Sequence, residues 1–244
     1  SGQVDYGMLP IENTSSGSIN EVYDLLQHTN LSVVGEITQP IVHCLLTSVE
    51  TRLDKIKTIY AHGQPFAQCS NFLDKQNGIR IEYCESTADA MVKVAKLQDE
   101  TVAVIGSEEG GHLYQLQALE KSIANQNENH TRFILVARKA VDVAEQIPAK
   151  TAIILATGQK AGALVECLLV LKEKGINMCK LESRPIQGRP WEEMFYIDVE
   201  ANLKSFALQE AISEITEHTN FIKVLGCYPV EHISPTSVPS SAIS

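Results

Sequence analysis

Short apolar runs alternate with polar stretches along the chain, and their lengths and periods predict which become strands and which become helices. Val4 to Ile11 reads as a buried strand. The polar loop Glu12 to Ser18 then opens a helix whose apolar face is Ile19, Val22, Leu25 and Leu26. Leu31 to Gln39 and Ile41 to Leu46 read as strands with Pro40 between them, and Ile56 to Tyr60 as another. Gly63-Gln64-Pro65 starts a helix with Pro in its first turn and Phe66, Cys69, Phe72 and Leu73 as its stripe. Ile79 to Tyr83 is a strand, Ala88 to Leu97 a helix and Val102 to Ile105 a strand, after which Ser107 can cap a further helix. Asn125 to Asn129 is a polar loop, and Thr131 to Ala137 is a strong β run. Such alternation predicts an open α/β sheet with sites at the carboxyl ends of its strands.

Val143 to Lys150 reads as a linker. Beyond it the pattern restarts: strand Thr151 to Ala156, helix Ala161 to Lys174, strand Met178 to Ile186, strand Met194 to Val199, helix Phe206 to Glu217, strand Phe221 to Tyr228. That is βαββαβ, the ferredoxin-like order. The Ser- and Pro-rich tail from Glu231 is expected to be disordered. Two domains are therefore expected, 1–147 and 148–230, with 231–244 as the tail.

Composition narrows the function. A formal charge of −10 argues against nucleic acid or an anionic membrane as a partner. An anionic substrate would have to be held locally, by a helix N-terminus or by one or two placed cations. The cysteines at 44, 69, 84, 167, 179 and 227 form no CxxC pair and no zinc spacing, so they read as core thiols in a reducing cytoplasm. No signal peptide and no long apolar run appears, and a soluble cytoplasmic chain is the expectation.

Three polar segments fall at element ends. Asn13-Thr14-Ser15-Ser16-Gly17 is a hydroxyl-rich turn at a predicted helix start, fit either for plain capping or for holding a carboxylate. Gln68 lies off the apolar stripe of its helix, either on a solvated face or offering an amide to a ligand. In His130-Thr131-Arg132-Phe133, strand alternation puts Thr131 and Phe133 on one face and His130 and Arg132 on the other. Thr131 is either a good strand former or a placed hydroxyl.

Taken in order, Pro10-Ile11-Glu12-Asn13-Thr14-Ser15-Ser16-Gly17, then Gln64-Pro65-Phe66-Ala67-Gln68-Cys69, then Thr131-Arg132-Phe133 resemble the successive signatures of prephenate dehydratases. Gly106-Ser107-Glu108-Glu109-Gly110-Gly111 with Tyr114 fits as well. The resemblance is closest to the C-terminal part of bifunctional chorismate mutase/prephenate dehydratases. It implies a two-lobed, periplasmic-binding-protein-like α/β catalytic region, here N-terminally incomplete because the family's region begins earlier. A ferredoxin-like βαββαβ ACT domain is implied after it. The implied reaction converts prephenate to phenylpyruvate with loss of CO2 and water, without a cofactor or metal. Thr131 matches the family's catalytic hydroxyl. Asn13 and Gln68 match substrate-orienting positions, with Thr14, Ser15, Arg132 and Phe133 around them. Ala61 stands where the family often has Ser.

A second constellation follows the linker. Gly158-Gln159-Lys160-Ala161-Gly162 leads from a strand into a helix with small residues at the turn, and Leu164, Leu168 and Leu171 form the helix stripe. Pattern alone makes this an ordinary ferredoxin-like domain. Gly162-Ala163-Leu164-Val165 and Glu182-Ser183-Arg184-Pro185 resemble the two phenylalanine-site motifs of ACT domains. That implies feedback inhibition by phenylalanine at a subunit interface, in a homodimer or higher oligomer. The alternative is a non-catalytic phenylalanine-binding module. The regulatory region of an aromatic amino acid hydroxylase is a third reading, and it fails for want of a cluster of two His and a carboxylate.

Overall fold

The structure is a computed structural model that describes residues 4–126, 128–158, 160–186, 188–189 and 192–230. The expected tail from Glu231 lies outside the described residues. In chain order the elements are β1 (Tyr6–Asn13), β2 (Gly17–Ser18), α1 (Asn20–His28), β3 (Ser32–Pro40), β4 (Cys44–Thr47) and β5 (Thr58–Ala61). Then come α2 (Gly63–Gln68), α3 (Ser70–Leu73), β6 (Arg80–Tyr83), α4 (Thr87–Leu97), β7 (Val102–Gly106), α5 (Glu108–Leu113) and β8 (Gln117–Glu120). The last are β9 (His130–Ala137), β10 (Ala149–Ala156), α6 (Ala163–Glu173), β11 (Met178–Pro185), β12 (Glu193–Val199), α7 (Phe206–Glu217) and β13 (Phe221–Pro229). No helix among the described residues is long and apolar enough to cross a membrane.

Two compact units divide the chain: Ser1–Ile11, Ile19–Ile37 and Phe133–Ser244 form one, Glu12–Ser18 and Thr38–Arg132 the other. In the first unit, β10 to β13 make an antiparallel sheet in the order β11-β12-β10-β13, the strand order of a ferredoxin-like βαββαβ unit. Both faces of this sheet are covered. Ile153 and Leu155 of β10 join Cys167, Val170 and Leu171 of α6 and Leu208, Ala211 and Ile215 of α7 in one core. Ala152, Ile154 and Ala156, the alternate residues, join Ile11, Val22, Tyr23, Leu26, Val33 and Ile134 in another. Two covered faces explain why β10 is apolar nearly throughout rather than alternating. Gly226 on β13 lies against the Val33 backbone: a Cβ there would lie inside van der Waals contact of the Val33 carbonyl oxygen, and 2.9 Å from Val33 C and N.

Several expectations change here. The strand expected over Val4 to Ile11 runs instead from Tyr6 to Asn13, and Tyr6 and Met8 are 66% and 57% exposed, so its N-terminal half is not buried. In its sheet, ordered β2-β1-β9-β3, β1 has only the two-residue β2 on its outer side. On α1 the buried face is Val22, Tyr23 and Leu26, whereas Leu25 is 60% exposed. Tyr23 turns inward because its ring meets Tyr196 edge-on at 4.8 Å and its carbonyl accepts the Tyr196 hydroxyl. The linker is anchored: Val143 is buried with Ala149 and Cys227, and Asn202 Nδ2 donates to the carbonyls of Ala144 and Ile147 at 2.8 and 3.1 Å.

The second unit is a five-stranded sheet ordered β6-β5-β7-β4-β8. β5 runs parallel to β6 and β7, and β4 runs antiparallel to β7 and β8. Leu45, Ile59, Ala103 and Ile105 point to the α2–α3 side, packing with Cys69 and Leu73. Cys44, Leu46, Val102 and Val104 point to the α4 side, packing with Ala90, Met91 and Val94. The sequence pattern had offered no sign of β8, whose four residues carry a charge and an amide among only two apolar side chains.

Candidate active site

The register of the five-stranded sheet decides what meets at its upper end. Cys44 of β4 pairs with Gly106 of β7, so the start of β4 lies beside the carboxyl ends of β5 and β7. His43 precedes β4 and is buried. His62 follows β5, and its ring accepts from Gln64 N to cap α2, with Pro65 in the first turn. The expected single helix breaks at Cys69, leaving Gln68 as the last residue of α2. Cys69 is fully enclosed, and burial pushes its thiol up to about 12, so it stays neutral and is no nucleophile.

Asn13–Ser16, expected from the sequence to be a helix start, is instead the end of β1 and its turn into β2; α1 begins at Asn20. The turn's N–H groups are consumed internally: Asn13 Oδ1 accepts from Ser15 N and Ser16 N, each at 3.0 Å, and from Ser16 Oγ at 2.9 Å. Its Nδ2 shares its two protons among three acceptors, Asn129 Oδ1 at 2.7 Å, Thr131 Oγ1 at 3.0 Å and the His130 carbonyl at 3.1 Å. Gln68 Nε2 donates to Asn13 Oδ1 at 3.4 Å, and Gln68 Oε1 faces His43 Nε2 at 2.7 Å. Asn129 Nδ2 also donates to Gln68 Oε1, at 3.4 Å. Asn13, His43, Asn129 and Thr131 are all buried.

The direction of every bond in this network is fixed by the backbone. Backbone N–H groups can only donate and the His130 carbonyl can only accept, so the Asn13 amide has one orientation. Asn13 Oδ1 then requires the Gln68 NH2 group, which turns Gln68 Oε1 toward His43. At the other end, Thr131 Oγ1 is an acceptor from Asn13, so its own proton is not used in that bond, and Thr131 itself is buried rather than part of the depression's lining. An N–H donated into a hydroxyl oxygen makes its O–H the better donor.

Beside the network an open depression of about 250 Å³ is lined by Ser15, Ser16, Gln64, Ala67, Gln68, Asn125 and Gln126. The Thr14 hydroxyl is tied to His130, accepting from its N at 2.9 Å, and Ser15 Oγ bonds Gln126 Oε1 at 3.1 Å. Arg132 is half-buried and alternates with Thr131 along β9, while Phe133 belongs to the other compact unit. Position 61 is enclosed among apolar side chains, where an Ala methyl fits.

In the first unit, Leu155, Phe195 and Ser183 stand in one row across β10, β12 and β11, so β10 and β11 end at the same edge of the sheet. The loop after β10 leads to Gly162, whose φ of 82° places it in the left-handed region that glycine tolerates. Gly162 gives α6 no side-chain cap, and the first-turn N–H groups lack intrahelical acceptors. Ala163 is buried, Leu164 packs on the helix-side core and Val165 is exposed. On β11, Ser183 and Pro185 are exposed, whereas Glu182 and Arg184 are half-buried. Glu182 pairs with Lys180 at 3.3 Å and Arg184 with Asp24 at 2.9 Å.

The family model for prephenate dehydratase matches residues 1–141. The chain belongs to the prephenate dehydratase family. A bifunctional chorismate mutase/prephenate dehydratase of Enterobacter agglomerans is 60% identical over 234 residues, covering 96% of this chain. The chain spans 60% of that relative's length. Among solved structures, the prephenate dehydratase of Arthrobacter aurescens in complex with L-Phe superposes with a TM-score of 0.85 at 25% identity, over 98% of this chain and 79% of that one. GqqA, described as a quorum quenching acylase, gives 0.85 at 26% identity over 95% and 84%.

Within this family setting, Asn13, Gln68 and Thr131 are legible from the sequence, and Ser16 as part of its hydroxyl-rich turn, but His43 and Asn129 are not singled out. One signal was available: His43 is the lone titratable residue in the otherwise apolar run Ile41 to Leu46 apart from the thiol of Cys44. Asn129 sat inside a polar loop with nothing to single it out.

Proposed function

We propose that the chain carries the dehydratase activity of its family: prephenate to phenylpyruvate, CO2 and water, in phenylalanine biosynthesis. The observation that carries this reading is the amide of Asn13 donating to Thr131 Oγ1 at 3.0 Å, in a network whose directions leave the Thr131 proton free to be given. As CO2 departs, the electron pair of its bond moves through the ring and leaves with the ring hydroxyl oxygen. Hydroxide is a poor leaving group, so Thr131 hydrogen-bonds and protonates that oxygen, then recovers a proton from solvent. A free threonine is far too weak an acid to act in bulk water. It serves here through placement and polarisation. Gln68 and the turn residues Ser15 and Ser16 border the depression and orient the substrate, with Thr14 and Arg132 completing the binding set. No cofactor takes part.

Residues 1–147 are assigned to catalysis and 148–230 to an ACT domain that binds phenylalanine. A zwitterionic amino acid needs N–H donors for its carboxylate, which the start of α6 at Gly162–Val165 supplies from Leu164 and Val165, Ala163 N being bonded to the Lys160 carbonyl at 3.2 Å. Glu182 to Pro185 supply the rest from β11. The protein works in the cytoplasm as a homodimer or higher oligomer.

Phenylpyruvate formation from prephenate, measured on the full-length protein and on Thr131→Ala, tests the reaction. The variant is expected to lose at least roughly 100-fold in kcat with its fold intact. An unchanged rate removes Thr131 from the mechanism. Phenylalanine is expected to raise the melting temperature. A protein that binds phenylalanine and yet makes no phenylpyruvate would be a regulatory module instead.

A further inference from the structure

We infer that His43 is a positioning residue for this dehydration, holding the Gln68 amide through Nε2–H and thereby the chain of bonds that ends on Thr131. The inference rests on the dehydratase reading above. The bonds run one way: His43 Nε2 to Gln68 Oε1, Gln68 Nε2 to Asn13 Oδ1, Asn13 Nδ2 to Thr131 Oγ1. Because the Ser15 and Ser16 N–H groups fix Asn13 and Asn13 fixes Gln68, the group facing His43 is an oxygen. The ring must therefore carry a proton on Nε2.

The other tautomer would commit two faults. It would set the Nε2 lone pair against Gln68 Oε1 at 2.7 Å. It would also bury an N–H at Nδ1, which has no hydrogen-bond partner among the described residues. A buried donor without an acceptor costs more than an unused lone pair, so the network selects the Nε2–H form. Backbone packing holds the ring: His43 O accepts from Ile123 N at 3.0 Å, and the residue leads directly into the buried strand β4. Gln68, by contrast, sits at a helix end beside the open depression, and its bond to Asn13 is already long at 3.4 Å. A rigid donor on the far side of the amide keeps it from swinging into the depression.

The test measures phenylpyruvate formation from prephenate by the full-length protein and by His43→Leu, His43→Gln and His43→Asn. A Gln side chain carries an amide N–H to about the place of ring Nε2, whereas Asn reaches only as far as Nδ1. The Leu and Asn variants are expected to lose roughly ten-fold or more in kcat with KM within about three-fold, and Gln to recover most of the loss. Three results overturn the inference: a His43→Leu kcat equal to wild type, a loss carried by KM, or a Gln variant no better than Asn at equal folded fraction. Should His43→Leu not fold, the comparison of Gln with Asn decides. Thr131→Ala in the same assay separates the levels. Full activity there removes the dehydratase reading and this inference with it; an inactive Thr131→Ala beside a fully active His43→Leu overturns the role of His43 alone.

Discussion

Arg184 clasps Asp24 through two parallel hydrogen bonds, Nε to Oδ1 and Nη2 to Oδ2, each 2.9 Å long. The pair ties α1 to β11, the strand that carries Glu182 to Pro185. Its geometry is the planar fork that guanidinium and carboxylate favour. The Arg184 hydrogen bond holds the Asp24 carboxyl below the ordinary carboxylate range. A depressed folded-state pKa means stability that is fully present above the unfolded value, about 4, and lost as pH falls through the folded value. Asp24→Asn is therefore expected to be less stable than wild type at neutral pH. The gap should close below the ordinary carboxylate range. Asp24 is half-exposed, so the effect is about 1 kcal/mol or less and shrinks with salt. Denaturant titrations at neutral and acid pH measure it; a gap that widens in acid contradicts the assignment.

Gly226 faces the Val33 backbone with no room for a side chain. Backbone cannot rotate away as a flexible side chain does, so Gly226→Ala must push β13 off β3 or distort both. The expected loss is at least about 2 kcal/mol, at the upper end of ordinary overpacking. Chemical denaturation gives the value, and a loss under about 0.5 kcal/mol would mean the strands separate without cost.

Much of this fold was legible because its helices and strands answer to local period. The range Phe206 to Glu217 was readable as a helix from its apolar spacing, and the βαββαβ order followed from run lengths alone. What escaped depends on partners far along the chain. Leu25 fits the spacing of an inward residue on α1, but Tyr23 takes the inside, where its ring meets that of Tyr196, 173 residues away, edge-on. The candidate site divides the same way. Asn13, Gln68 and Thr131 were reached through family motifs, each weak by itself. Asn129 enters only through a contact 116 residues away, which no local pattern encodes, and His43 shows locally only as a polar residue in an apolar run, its partner Gln68 lying 25 residues on.

Thiol reactivity should separate the cysteines by burial. Cys44, Cys69, Cys167 and Cys227 are buried, Cys84 is partly so, and Cys179 is exposed on β11. Burial raises the Cys44, Cys69 and Cys167 thiols, which stay protonated at mild alkaline pH. Labelling of the native protein at about pH 8 is expected to modify Cys179 first and Cys84 more slowly, with the other four reacting only on unfolding. Peptide mapping after a short exposure reads the order, and early loss of Cys69 would show that the α2–α3 junction opens.

Asn13→Asp separates the two jobs of the Asn13 amide. The new carboxylate keeps an oxygen for Ser15 N and Ser16 N, so the turn is expected to hold, while the buried charge lowers the melting temperature. It cannot donate. The bonds to Thr131 Oγ1, Asn129 Oδ1 and the His130 carbonyl disappear, and a negative oxygen then faces that carbonyl. Thr131 would turn its own proton toward the carboxylate rather than toward an outside oxygen, since a charged acceptor is the stronger one. The proton needed by the departing oxygen is then engaged elsewhere. A fall in kcat of about 10²- to 10³-fold follows, the usual size for loss of one preorganised donor. Steady-state kinetics together with a thermal melt make the measurement. A folded Asn13→Asp with kcat near wild type would mean that Thr131 does not depend on Asn13 for its direction.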